Sequence, residues 1–172
     1  ISALGVYDAY INGKKVGIVN PDGSITYDML TPGWTNYERT INYVTYDVTS
    51  YINSNKVTLA AVLGNGWYNG SIAGNNSIYY KVNTARDLGL KAKLLITYTD
   101  GSKQTIVTDV NNGWKATDIG PITMDDIYNG ETYDARREIP GWNDNGFDDS
   151  TWFGVKEHQY RKDFPDAIET AL

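Results

Sequence analysis

The 172-residue sequence contains no cysteine, which excludes disulfide crosslinks, thiol nucleophiles and zinc-thiolate sites together. It has a single histidine, His158, so a histidine-rich metal site is ruled out and a serine triad would have to be built around that one residue. The polar context Lys156-Glu157-His158-Gln159 predicts a solvent-facing ring. No apolar run approaches the roughly 20 residues that a membrane-spanning helix needs, and Ile1-Ser2-Ala3-Leu4-Gly5 shows no basic-then-apolar leader. Basic side chains are in deficit: 15 Lys and Arg against 21 Asp and Glu leave a formal charge of -6. That balance argues against nucleic acid or an anionic membrane as partner, because both require clustered positive charge. A neutral ligand suits it better. Glycine-rich phosphate loops of the Walker and dinucleotide types are absent as well. Lack of cysteine fits a cytosolic or an exported bacterial protein equally, so the compartment stays open.

What is present is aromatic and strand-like. At this length the chain fits one domain that can bury a core without metals or crosslinks. The 14 Tyr and 5 Trp outnumber 3 Phe, favouring rings that keep a polar edge. Apolar and polar residues alternate over Val6–Ile11, and Asn12-Gly13 follows as a two-residue hairpin signal. Residues 18–35 read as a loop ending at Trp34, Thr40–Val48 as an alternating strand, and Val57–Leu63 as a central strand buried on both faces. Leu90–Tyr98 and Lys103–Thr108 flank the clearest hairpin signal, Asp100-Gly101. Shorter strands are expected around Trp114 and over Glu131–Tyr133, and a helical pattern only at Asp166–Leu172. Many short strands separated by loops predict an all-β antiparallel sandwich. The strand-like opening without an initiator Met predicts a segment of a longer protein.

The stretch Leu63-Gly64-Asn65-Gly66-Trp67-Tyr68-Asn69-Gly70 sets two aromatic rings among three glycines and two amides. A pyranose presents hydroxyls around a weakly polar C–H face, so flat rings beside fixed polar groups suit a sugar. A tight strand-to-loop turn whose rings plug a core explains the same composition. Carboxylates that might serve a glycosidase are Asp125-Asp126, Glu131 with Asp134, and Asp148-Asp149. Adjacent residues on a strand point to opposite faces, so turn capping accounts better for the first and last pairs. Asp134 and Arg136 share one strand face and are expected to form a structural ion pair. Asn143-Asp144-Asn145-Gly146-Phe147-Asp148-Asp149 has oxygen ligands that could suit calcium, but it lacks the EF-hand spacing, and turn chemistry is preferred.

Four segments, in order, carry a family likeness: Gly5–Gly13, Leu30-Thr31-Pro32-Gly33-Trp34-Thr35-Asn36-Tyr37, Leu63–Tyr68 and Tyr128–Arg136. Together with the tail from Gly141-Trp142 to Trp152, they make residues 1–155 resemble the N-terminal non-catalytic domain of bacterial α-L-rhamnosidases. The resemblance implies a jelly-roll β-sandwich of the galactose-binding type, with residues 156–172 as a linker toward a downstream (α/α)6 barrel that carries the catalytic acid and base. It implies two partners, L-rhamnose or a rhamnosylated glycan and the protein's own catalytic barrel. Some relatives bind terminal rhamnose through calcium, with an acid and an amide at the Gly-Asn-Gly-Trp position and a carbonyl from a Gly-Pro. Those positions here are Asn65, Gly66 and Pro121, so Asn65 and Pro121 are the calcium candidates and Asn65, Gly66, Trp67, Tyr68 and Pro121 the sugar candidates. Asn65 brings no negative charge and Gly66 no side chain, which departs from the metal-binding pattern.

Overall fold

The computed structural model describes residues 1–37, 39–71 and 87–158. Expectations for the rest of the loop after Gly70, for most of the linker and for the helical pattern at 166–172 lie outside the described residues. Among those described, the chain is all-β, built from antiparallel pairs with one four-residue α-helix and two short 3-10 turns. Its strands are β1 (Ser2–Leu4), β2 (Val6–Ile11), β3 (Lys14–Lys15), β4 (Ile18–Val19), β5 (Ile25–Thr26), β6 (Leu59–Gly64), β7 (Gly89–Lys91), β8 (Lys93–Thr97), β9 (Lys103–Val107), β10 (Lys115–Ala116), β11 (Ile122–Asp126), β12 (Gly130–Tyr133) and β13 (Phe153–Gly154). The helix α1 is Gly66–Asn69.

Asn12 and Gly13 both adopt positive φ, 51° and 78°, the geometry of a type I′ turn, and β3 returns along β2 as the hairpin signal requires. On its other side β2 pairs with β6 from Val6 opposite Gly64 to Ile11 opposite Leu59. The expected central strand at 57–63 is therefore corrected: β2 lies in the middle, while β6 is half-buried throughout and has β2 as its one ladder partner among the described residues. Asp100-Gly101 closes the β8–β9 hairpin, and β11–β12 forms a third with a bulge between Ile122 and Met124.

Two further expectations change. Residues 40–48 form no ladder strand; apart from local turn bonds at Thr40 and Val48, their backbone pairing among the described residues is at Val44, which exchanges two 2.9 Å hydrogen bonds with Ile1. Alternation from 44 to 48 reports which side chains face the interior, with Tyr46 and Val48 packed inward, not a strand in register with a neighbour, and Ile41 packs inward out of that phase against the other cluster. Residues 18–35 are not wholly loop, because β4 and β5 pair across Asn20–Ser24.

The interior is largely tyrosine. One cluster joins Leu4, Tyr37 and Tyr68, with Ile41, Trp67 and Leu88 against it; the other joins Ile11, Val16 and Tyr51. Burial, with Tyr46 and the charge of Asp28 nearby, pushes the Tyr7 hydroxyl far above its usual range. The turn at Asn12-Gly13 is closed over by the Gly141–Asn145 loop. Asn145 Nδ2 donates to Asn12 Oδ1 at 3.0 Å, the Gly13 N–H donates to the Asn143 carbonyl at 2.9 Å, and Trp142 meets Tyr10 edge-on at 5.2 Å.

Candidate functional site

β6 delivers Asn65 to the foot of α1, and β11 holds it there. The Asn65 backbone N–H donates to Asp125 Oδ2 at 2.7 Å, and its side-chain nitrogen donates to the Asp125 carbonyl at 2.8 Å and to Oδ1 at 3.1 Å. Asn65 Oδ1 in turn accepts from Asn69 Nδ2 at 2.8 Å. Every polar atom of the Asn65 amide is thus engaged inside the protein. Gly66 has φ +52°, and a Cβ built there would lie 2.6 Å from Val6 Cγ1. The glycine is required by close approach of β2, so the space that a ligand-facing glycine would open is already filled by protein.

The aromatic rings divide. Tyr68 is fully buried, edge-on to Tyr37 at 5.2 Å, and belongs to the core. Trp67 packs against the same cluster but stays half-buried. His158 is not the solvent-facing ring that its polar context predicts: Nε2 lies 2.7 Å from the Asp87 carbonyl oxygen, and the ring stands edge-on to Tyr68 at 6.4 Å. A tertiary aromatic contact outweighs the local polarity of its neighbours.

Pro121 is half-buried ahead of β11, and its carbonyl accepts from the Asp134 N–H at 2.9 Å. Asn65 sits at the Asp125 end of that strand, four residues on, or roughly 13 Å at the usual rise per residue. The two calcium candidates are therefore not brought together, and the Asn65 side-chain oxygen is taken by Asn69. Among the described residues no group of three acidic or histidine side chains is arranged around a metal position. This donor set does not fit a calcium cage.

Asp134 and Arg136 do pair, with Oδ1 accepting from Nε and Oδ2 from Nη2, both at 2.8 Å. The pairing spans a 3-10 turn at Ala135–Arg137 that Asp134 also caps through the Arg136 N–H, and the arginine is almost fully exposed. An exposed pair of this kind contributes little stability on its own.

Sequence reasoning missed the anchoring role of Asp125 and Asp126. Asp126 Oδ2 accepts from the Ser71 N–H at 2.6 Å, while Oδ1 accepts from Tyr128 and Asn129 at 2.8 and 2.9 Å, so one carboxylate closes the β11–β12 turn and ties down the exit of α1. The adjacent-acid pattern and the following Asn129-Gly130 signal the turn. Nothing local signals partners 60 and 55 residues away. Desolvation opposes ionisation of Asp126, but the backbone donors of Ser71, Asn129 and Tyr128 outweigh it and hold the carboxyl below its usual range. A depressed carboxyl stabilises the fold above its unfolded pKa, and that contribution is lost as pH falls through the folded value. Stability is accordingly expected to drop below about pH 4, the ordinary carboxylate range, and Asp126→Asn to show a smaller drop between neutral and acidic pH in urea titrations.

Residues 1–169 match the family described as the α-L-rhamnosidase N-terminal domain. An α-L-rhamnosidase of Streptomyces avermitilis is 39% identical over 155 residues, covering 90% of this chain and 14% of that protein. One of Formosa agariphila is 38% identical over 156 residues, covering 91% and 15%. In the crystal structure of native α-L-rhamnosidase from Aspergillus terreus, the matching region superposes with a TM-score of 0.73 at 36% identity, covering 96% of this chain and 17% of that one. The chain therefore spans about a seventh of the length of the curated relatives it matches. With the family match running through both Asn-Gly turns of the β2–β6 sheet and the whole of β11–β12, this chain belongs to the N-terminal domain family of the α-L-rhamnosidases.

Proposed function

We propose that this chain is a non-catalytic accessory domain that docks on the remainder of a larger α-L-rhamnosidase, the parent hydrolysing terminal α-L-rhamnosides in a barrel outside the chain. The supporting observation is one stretch of the chain, from Ile18 to Trp34. Ile18, Val19, Ile25, Tyr27, Met29, Leu30 and Trp34 are all exposed, Met29 to 89%, and no lysine or arginine lies between residues 18 and 34. The β4–β5 ribbon at its start pairs with no third strand among the described residues, an arrangement marginal in water by itself, and exposed apolar side chains gathered together mark protein contacts. Leu30 is held at φ +57°, a region that costs a non-glycine residue about 1 kcal/mol or more. The chain's two methionines supply the test. By exposure, Met29 should be oxidised by peroxide faster than Met124, at 89% against 41%, in this chain alone. In the full-length parent the order should reverse, and unchanged order there would reject docking through this surface.

A second reading, L-rhamnose binding around Asn65, Gly66, Trp67, Tyr68 and Pro121, draws support from the half-exposed ring of Trp67. Calorimetric titration with L-rhamnose, with and without calcium, checks it. Trp67→Ala should then lose about 1–3 kcal/mol of affinity, as for an aromatic anchor. No heat at millimolar sugar would reject the reading.

A further inference from the structure

The sequence holds six Asn-Gly pairs, at Asn12, Asn65, Asn69, Asn112, Asn129 and Asn145. In such a pair the following backbone nitrogen can reach the asparagine side-chain carbonyl carbon, because glycine offers no Cβ to hinder it. Sequence alone ranks all six alike. The fold does not.

Asn12 donates to the Tyr51 carbonyl and accepts from Thr58 and Asn145, and the neighbouring Gly13 N–H is bonded to Asn143. Asn145 is held by Asn12, Lys56 and Thr58, and Asn65 by Asp125 and Asn69. Asn69 is half-buried and donates to Asn65 at 2.8 Å. Asn129 donates to Ser71, and its glycine is fixed in β12 opposite the Asp126 carboxylate residue. Exposure and space do not separate the sites, since Asn129 and Asn145 are exposed too and Gly130 and Gly146 are equally open; hydrogen bonding does, and by that measure the loosest is Asn112. It and Gly113 are exposed, in the turn between β9 and β10. Its side-chain nitrogen makes one long contact, 3.3 Å to the Val107 carbonyl, for which Trp114 Nε1 competes at the same distance. Among the described residues its Oδ1 and the Gly113 N–H make no hydrogen bond, and nothing stands within 4 Å of a Cβ position at Gly113.

We infer that Asn112 is a site of spontaneous deamidation in the folded protein. The Gly113 nitrogen gives its proton to solvent and bonds to Cγ of Asn112; the Cγ–Nδ2 bond breaks, and ammonia leaves with a proton taken from solvent. One water then opens the resulting succinimide at either carbonyl. The product is aspartate, or isoaspartate with the backbone rerouted through Cγ, and either adds one negative charge to this turn.

The test is peptide mapping by mass spectrometry of the full chain aged in warm, mildly alkaline buffer, with a parallel sample in urea. Folded protein should convert at Asn112 at least about tenfold faster than at any other Asn-Gly pair, a barrier difference of about 1.4 kcal/mol. In urea the six should converge, and Asn112→Gln should remove the fast phase from the folded sample. Fastest conversion at Asn129 or at any held pair, or equal rates in the folded protein, would overturn the inference.

Discussion

Gly5→Ala is expected to destabilise the domain by about 4 kcal/mol or more, beyond the ordinary range for one substitution. Gly5 joins β1 to β2 at φ +120°, a conformation that side-chain-bearing residues rarely adopt, and a Cβ there would collide with the Gly64 carbonyl oxygen. That oxygen belongs to β6 opposite Val6, so it cannot swing aside without opening the β2–β6 ladder. A second obstacle, the Leu88 side chain at 3.2 Å, can adjust; the backbone cannot. Urea unfolding followed by far-UV circular dichroism measures the effect. A midpoint shift equivalent to less than about 1 kcal/mol, a typical single-mutation value, would mean that the strand junction tolerates a side chain.

Tyr68→Ala is expected to cost about 3–5 kcal/mol, the range for emptying a buried aromatic site. Tyr68 is one of the two largest fully buried side chains, and its ring stands edge-on to both Tyr37 and His158. Tyr68→Phe keeps the ring and removes only the hydroxyl, so its cost should stay within about 1.5 kcal/mol, the usual net worth of a hydrogen bond. A large loss for Phe with little further loss for Ala would show that the hydroxyl, not ring packing, matters. The same pair separates core from ligand roles: if Tyr68 is core alone, Phe leaves any rhamnose affinity of the folded protein unchanged.

Hairpins were the most legible part of the fold, because Asn12-Gly13 and Asp100-Gly101 carry their geometry in two residues. Strand position within a sheet was less so. The apolar run before Asn65 reads as central, yet centrality depends on partners, and β2 with its polar Asp8 has the two. Asp8 is accommodated there by Lys15 at 2.7 Å across the hairpin. Thr40–Val48 shows the converse, a strand-like alternation with no ladder. At the candidate site, the Gly-Asn-Gly-Trp-Tyr composition was visible, but the burial of Tyr68 depends on Leu4 and Tyr37, and the anchoring of Asn65 on Asp125, none adjacent in sequence. The exposed run from Ile18 to Trp34 was hidden for a simpler reason: apolar residues in a turn-rich segment do not say whether they face in or out.

The Asn12–Asn145 contact joins residues 133 positions apart, and it sets an order of events during synthesis. The β2–β3 segment leaves the ribosome well before the Gly141–Asn145 loop has been made, and until then its turn stays uncovered. At about 5–20 residues per second, that wait lasts about 7–27 seconds. During it the Tyr10 face lacks Trp142, so the nascent chain carries an unfinished surface there. A gene truncated anywhere before that loop leaves the Tyr10 face without Trp142 and the Asn12 side chain without Asn145.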